Sequence, residues 1–165
     1  MDSAADQQRT TWHITFGTYG ARLHGGERPT VERDQNRRGE RFQRENHALF
    51  AAERSAMSHS AVFLTTPHQR FIQQTVPGIC ERGGWELRVC SAGNDHVHIL
   101  LDIDRTVHGQ KVRELLKRWL SQSLNQHFGE PASGRWWAKA GSTKAISDAR
   151  YLENAHDYIE GQRAL

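Results

Sequence analysis

The sequence predicts an α+β fold, a ferredoxin-like antiparallel sheet with helices packed on one face, and three observations carry that prediction. Stretches rich in β-branched and aromatic residues recur at 11–19, 85–91 and 96–102. A long amphipathic segment follows at 107–128. The resulting order is strand, long loop, helix, hairpin, helix, strand, helix, which suits a sheet with helices laid against it.

Each element has its own signal. Thr11 to Tyr19 alternates as a first strand. Residues 20–46, rich in Gly, Arg, Asp and Glu, show no hydrophobic period and read as a long loop, with a short helix at 47–57 and an extended piece at 61–64. Thr66 and Pro67 have the chemistry of a cap and a first helical residue, opening a helix that turns Phe71, Ile72, Val76, Ile79 and Cys80 inward. Pro77 is expected to kink that helix or end it early. Trp85 to Ser91 forms a second strand, and Gly93-Asn94-Asp95 supplies the turn into a third, His96 to Asp102. Between Val107 and Phe128, Val112, Leu115, Leu116, Trp119, Leu120, Leu124 and Phe128 recur at helical spacing. Arg135 to Ala140 reads as a further strand, and Ser147 or Asp148 caps a last helix running to about Arg163.

A chain of 165 residues fits one domain, 1–165, with a core that needs no metal or disulfide staple. No run reaches the roughly 20 apolar residues of a membrane helix, so no membrane partner and a cytoplasmic location are expected. Cys80 and Cys90 stand outside any Cys-x-x-Cys spacing and read as buried reduced thiols. The net charge is only +3, but residues 105–144 hold eight basic side chains against two acidic ones. Cations neutralise phosphates and aromatic rings stack on bases, so Lys111, Arg113, Lys117, Arg118, Trp136, Lys139 and Lys144 are candidate nucleic-acid contacts. The competing reading is a solvated helix face with core tryptophans, and it is preferred for Trp119.

The most informative feature is His96-Val97-His98. In an extended strand residues i and i+2 share a face, so both imidazoles point one way while Val97 packs behind them. A pair alone in a chain with ten histidines is often just solvated. In the last helix, however, Tyr158 and Gln162 are four residues apart and therefore stacked on one face. A helix packed with that face toward the histidine strand would offer His96, His98 and Gln162 as N, N and O ligands, with Tyr158 beside them.

The combination of Asn94-Asp-His-Val-His-Ile-Leu-Leu101, the basic amphipathic helix, Arg135-Trp-Trp-Ala-Lys-Ala-Gly-Ser-Thr143 and Tyr158-Ile-Glu-Gly-Gln162 resembles the single-tyrosine HUH transposases, which include the insertion-sequence and REP-associated tyrosine transposases. The resemblance spans roughly residues 11–162. It implies an HUH endonuclease domain in which the histidine pair and Gln162 hold Mg²⁺ or Mn²⁺ and Tyr158 attacks a DNA phosphate to form a 5′-phosphotyrosine link. It also implies single-stranded or hairpin DNA as partner and a homodimer. Two features depart from the pattern: the chain stops three residues after Gln162, and the 20–46 loop is longer than expected.

Three alternatives compete. A domesticated, noncatalytic single-strand or hairpin DNA-binding protein would keep the basic and aromatic residues, though not for any catalytic reason Tyr158 and both histidines. A histidine-triad phosphate-ester enzyme requires a third histidine at position 100, which is Leu100. A replication or mobilisation nickase would share the chemistry but belongs to larger chains.

Overall fold

A computed structural model describes residues 8–21 and 59–164; the expected loop at 20–46, apart from its first two residues, and the helix at 47–57 lie outside them or at their margin. The described elements are β1 (Arg9–Gly17), α1 (Thr66–Gly83), β2 (Glu86–Ala92), β3 (His96–Asp104), α2 (Gly109–Phe128), β4 (Ser142–Ile146) and α3 (Ala149–Gly161). All strand pairs are antiparallel and the sheet order is β2-β3-β1-β4, the ferredoxin-like α+β arrangement.

The pleat sends alternate residues to two different layers. Ile14 and Phe16 of β1, Cys90 and Ala92 of β2, and Val97, Ile99, Leu101 and Ile103 of β3 join Ile72, Val76 and Ile79 of α1 and Val112, Leu116, Leu120 and Leu124 of α2 in the main core. The opposite parity supplies Val89 and Leu100, which form a smaller apolar patch with Ile159 of α3, edged by Ile146 and Leu152. The expectation of helices on one face thus holds for α1 and α2. The terminal helix lies on the other face, because its buried Ala155 and Ile159 match the apolar side chains left there.

Three local readings are corrected. Pro77 does not end α1, which runs through to Gly83 with Pro77 exposed. A proline cannot donate to the carbonyl four residues back. Here that carbonyl belongs to Gln73, and the Cys90 thiol lies 3.9 Å from it as a replacement donor. The fourth strand is not 135–140 but Ser142–Ile146. Trp136 and Trp137 are instead core plugs, each 5% exposed, with a single bridge from Trp137 to Thr18. The α1 cap is Thr65, one residue earlier than expected, and Pro67 sits in the first turn. Residues 61–64 belong to no strand and are held by bonds from Val62 N to Tyr19 O and Leu64 N to Asn94 O.

Cys80 and Cys90 are buried and unpaired by any disulfide. Among the described residues no helix is long and apolar enough to cross a membrane.

Candidate active site

The face of β3 that does not enter the main core carries His96, His98, Leu100 and Asp102 in succession. Register places Gly17 opposite His96, Thr15 opposite His98 and His13 opposite Leu100 on β1, and Ser91 opposite His98 on β2. Side chains of directly opposed residues share a face, so Thr15, His13 and Ser91 belong to the same surface as the histidine pair.

Both imidazoles are held at their Nδ1 atoms. His96 Nδ1 donates to Oδ1 of the buried Asp95 at 2.6 Å. Asp95 is fixed in turn by its backbone, whose carbonyl accepts from Thr18 N at 2.9 Å. His98 Nδ1 lies 3.0 Å from Thr15 Oγ1 and 3.1 Å from His13 Nε2. A hydrogen bond to one ring nitrogen of a ligating histidine fixes the tautomer and orients the other nitrogen toward a metal. The two Nε2 atoms are therefore the candidate coordinating positions of the pair. The two rings meet edge to face, their centroids 4.7 Å apart.

His13, whose Nε2 lies against His98 Nδ1, is the candidate site residue that the sequence does not single out. Its signal was its parity with Thr15 in β1, which becomes meaningful only once β1 is known to pair with β3. Burial, and then the charge of Lys144, hold its imidazole below the usual histidine range. Lys144 faces His13 across the β1–β4 pair and also sits 4.2 Å above the Tyr151 ring.

α3 crosses this face from β4 toward β2. Asp148 caps it, its carboxylate accepting from Arg150 N and Tyr151 N. Tyr151 and Lys144 mark the β4 end, and Ile159 seats on Val89 and Leu100 nearer β2. Tyr158, one residue before Ile159, consequently lies over β3. Its ring meets that of His98 edge to face at a centroid distance of 5.6 Å, and it remains 54% exposed. The structure thus brings His96, His98 and Tyr158 of one chain together. Gln162 is the C-cap of α3, exposed one turn past Tyr158, with no side-chain hydrogen bond among the described residues.

Among the described residues no group of three or more His, Cys, Asp or Glu side chains forms a metal cage. Ser91 Oγ, buried opposite His98, has no hydrogen-bond partner among the described residues. Two oriented imidazoles joined by an amide oxygen, if Gln162 turned toward them, would leave coordination positions open, a donor set compatible with Mg²⁺ or Mn²⁺ alongside substrate oxygens and water.

The expected nucleic-acid residues divide. α2 lies on the far layer, so Lys111 and Arg118, though exposed, are separated from Tyr158 by the sheet. Arg113 is corrected to a buried residue, 8% exposed, with a 3.6 Å contact to Glu114. Lys117 is a strut: Nζ donates to the carbonyls of Ala138 and Lys139 at 2.7 and 3.1 Å, and burial lowers its pKa. Trp136 is corrected from a stacking platform to a core residue whose indole N–H donates to Asn125 Oδ1. Lys139 is exposed. Lys144 alone of the seven stands on the histidine face.

Comparison with known proteins first fixes the class: a family model described as "Transposase IS200 like" matches residues 56–162, so this is a transposase by descent. More narrowly, the chain belongs to the IS200-like transposase family. No curated protein matches the sequence. Among solved structures, the chain is similar to a protein of Deinococcus radiodurans R1 whose assignment as a transposase is provisional, at 15% identity and a TM-score of 0.49 over 95% of this chain and 93% of that one. It is also similar to a REP-associated tyrosine transposase bound to a REP hairpin, at 11% identity and a TM-score of 0.47 over 91% of this chain and 64% of that one. At these values neither likeness carries information about activity.

Proposed function

We propose that the protein is a metal-dependent single-strand DNA endonuclease and strand transferase that links itself to DNA through Tyr158. The observation that carries this reading is the Tyr158 ring set against His98 of the same chain, on a face where both histidines are already oriented. Membership of a transposase family makes DNA the expected substrate, in single-stranded or hairpin form.

His96, His98 and Gln162 would hold Mg²⁺ or Mn²⁺, which supplies Lewis-acid polarisation of the scissile phosphate when bound. Asp95, Thr15 and His13 keep the two imidazoles in place. Tyr158, held on a helix and open to solvent, can approach a phosphodiester without rearrangement of the core. Its Oη forms the new bond to phosphorus as the P–O3′ bond breaks, and the phenol proton is balanced by the proton taken up on the released 3′-hydroxyl. The 5′-phosphotyrosine conserves the phosphodiester's energy, so that a 3′-hydroxyl can later reverse the step without a nucleotide cofactor.

Incubation of the protein with Mn²⁺ or Mg²⁺ and a hairpin-bearing oligonucleotide labelled on the 5′-phosphate side tests this. A covalent adduct should appear on a denaturing gel and vanish in Tyr158→Phe, which removes only the nucleophilic oxygen. Oligonucleotide binding without any adduct, in the wild type and with either metal, would replace this reading with that of a noncatalytic DNA-binding relative.

A further inference from the structure

α3 is seated by a small apolar patch, and its far end is secured by something other than packing. Gln73 points inward from the middle of α1, 5% exposed, in a position where helical spacing calls for an apolar side chain. Its carboxamide spends its bonds on two backbone segments. Oε1 accepts from Ala164 N at 2.9 Å and from Ala92 N at 3.1 Å, while Nε2 donates to Ala164 O at 2.9 Å. Ala92 ends β2, an edge strand of the sheet, and Ala164 lies three residues past the end of α3. One side chain therefore reaches from the α1 layer, past the sheet edge, to the chain that leaves the tyrosine helix on the opposite layer.

The arrangement is satisfied in a way that other buried polar side chains could not easily match. A carboxamide both donates and accepts, so it pairs with N–H and C=O of the same residue as a neighbouring strand would. Three bonds made by one buried amide also specify a single geometry, since any displacement of Ala164 strands polar groups away from water. Gln162 lies two residues before that anchor and Tyr158 six before it.

We propose that Gln73 is a positioning residue for the tyrosine helix: it latches the segment after α3 to the edge of the sheet and so holds Tyr158 over His98 of its own chain. The catalytic consequence rests on the proposed function of Tyr158; the latch itself does not.

The test uses the full chain with Gln73→Met, which keeps the volume and removes the hydrogen bonds, and with Ala164→Pro, which deletes one donor without touching α1. Amide hydrogen exchange of 149–164 should speed up by about tenfold or more in Gln73→Met, and by less in Ala164→Pro, with β1, β3 and α2 unchanged. Adduct formation in a single turnover should slow in the same order, while oligonucleotide affinity stays at the wild-type level. Unchanged exchange in α3, a uniform rise throughout the molecule, or faster exchange in α3 with a wild-type adduct rate would each overturn the proposal. A wild-type chain that forms no adduct would count against the proposed function, and the exchange pattern would still decide the latch.

Discussion

Ile159 joins the stability of the last helix to its chemistry, because it is the one fully buried large side chain by which α3 grips the sheet. Ile159→Ala removes three carbons from a site packed on Val89 and Leu100. At about 0.8 kcal/mol per buried carbon group the transfer loss alone is roughly 2.4 kcal/mol. The cavity left behind raises the expected cost to about 2–5 kcal/mol. Apart from Ile159, α3 buries Ala155 and, in part, Tyr151, Leu152 and His156, so a loss of this size is a large share of the docking of the helix. Undocked and docked forms then approach parity, and adduct formation per folded molecule falls by about two- to tenfold. The comparison is Leu120→Ala, an equally buried residue of α2 on the other layer. Urea denaturation followed by circular dichroism, with single-turnover labelling of an oligonucleotide, measures both quantities. Leu120→Ala should lose similar stability yet label normally once corrected for the folded fraction. Equal labelling by the two variants, or a loss below about 1 kcal/mol for Ile159→Ala, would refute the coupling of this patch to Tyr158.

Three further outcomes are expected. Asp95→Ala removes the carboxylate bonded to His96 Nδ1, and Mn²⁺ affinity measured by calorimetry on DNA-free protein should weaken about 10- to 100-fold; unchanged affinity would remove Asp95 from the support of the site. Burial and Lys144 place the folded pKa of His13 below its unfolded value near 6.5, so the unfolded chain takes up the proton first. Stability present above that pH is then lost as the pH falls toward the folded pKa, and His13→Gln should flatten the slope of urea midpoints measured in EDTA; an identical slope would contradict it. The thiols of Cys80 and Cys90 are pushed up to about 12 and about 11, chiefly by burial. Both should resist a maleimide in native buffer and react only on unfolding, and rapid native labelling of either would show that the main core is open there.

The strands and helices with strong periodicity were legible in the sequence, and so was the shared face of His96 and His98, because strand and helix periods are local properties. The shared helix face of Tyr158 and Gln162 is equally local, but its meeting with the histidine strand depends on how α3 docks. What local pattern cannot report is which strand lies next to which. His13 and Thr15 stand more than eighty residues from His98 and meet it only through the β1–β3 register. Gln73 likewise looked like one polar residue on an amphipathic helix, because its partners are backbone atoms 19 and 91 positions away. The tryptophan pair misled for a physical reason. Arg135-Trp-Trp has higher strand propensity than Ser142-Thr-Lys-Ala-Ile146, yet the second segment pairs along β1 and the first fills the core. The basic residues misled for another: a count of charge cannot tell that Arg113 is buried or that Lys117 is spent on carbonyl oxygens.

The sheet divides the surface in two, with the exposed cations of α2 behind it and the phenol in front. α2 packs behind β1 and β4, and β4 is an edge. Among the described residues, a nucleic acid touching both sides has a short route around the rim formed by β4, where Lys144 stands on the front beside His13. Such a substrate must bend about that rim, so duplex stems and flexible single strands would be sorted by stiffness before any base is read.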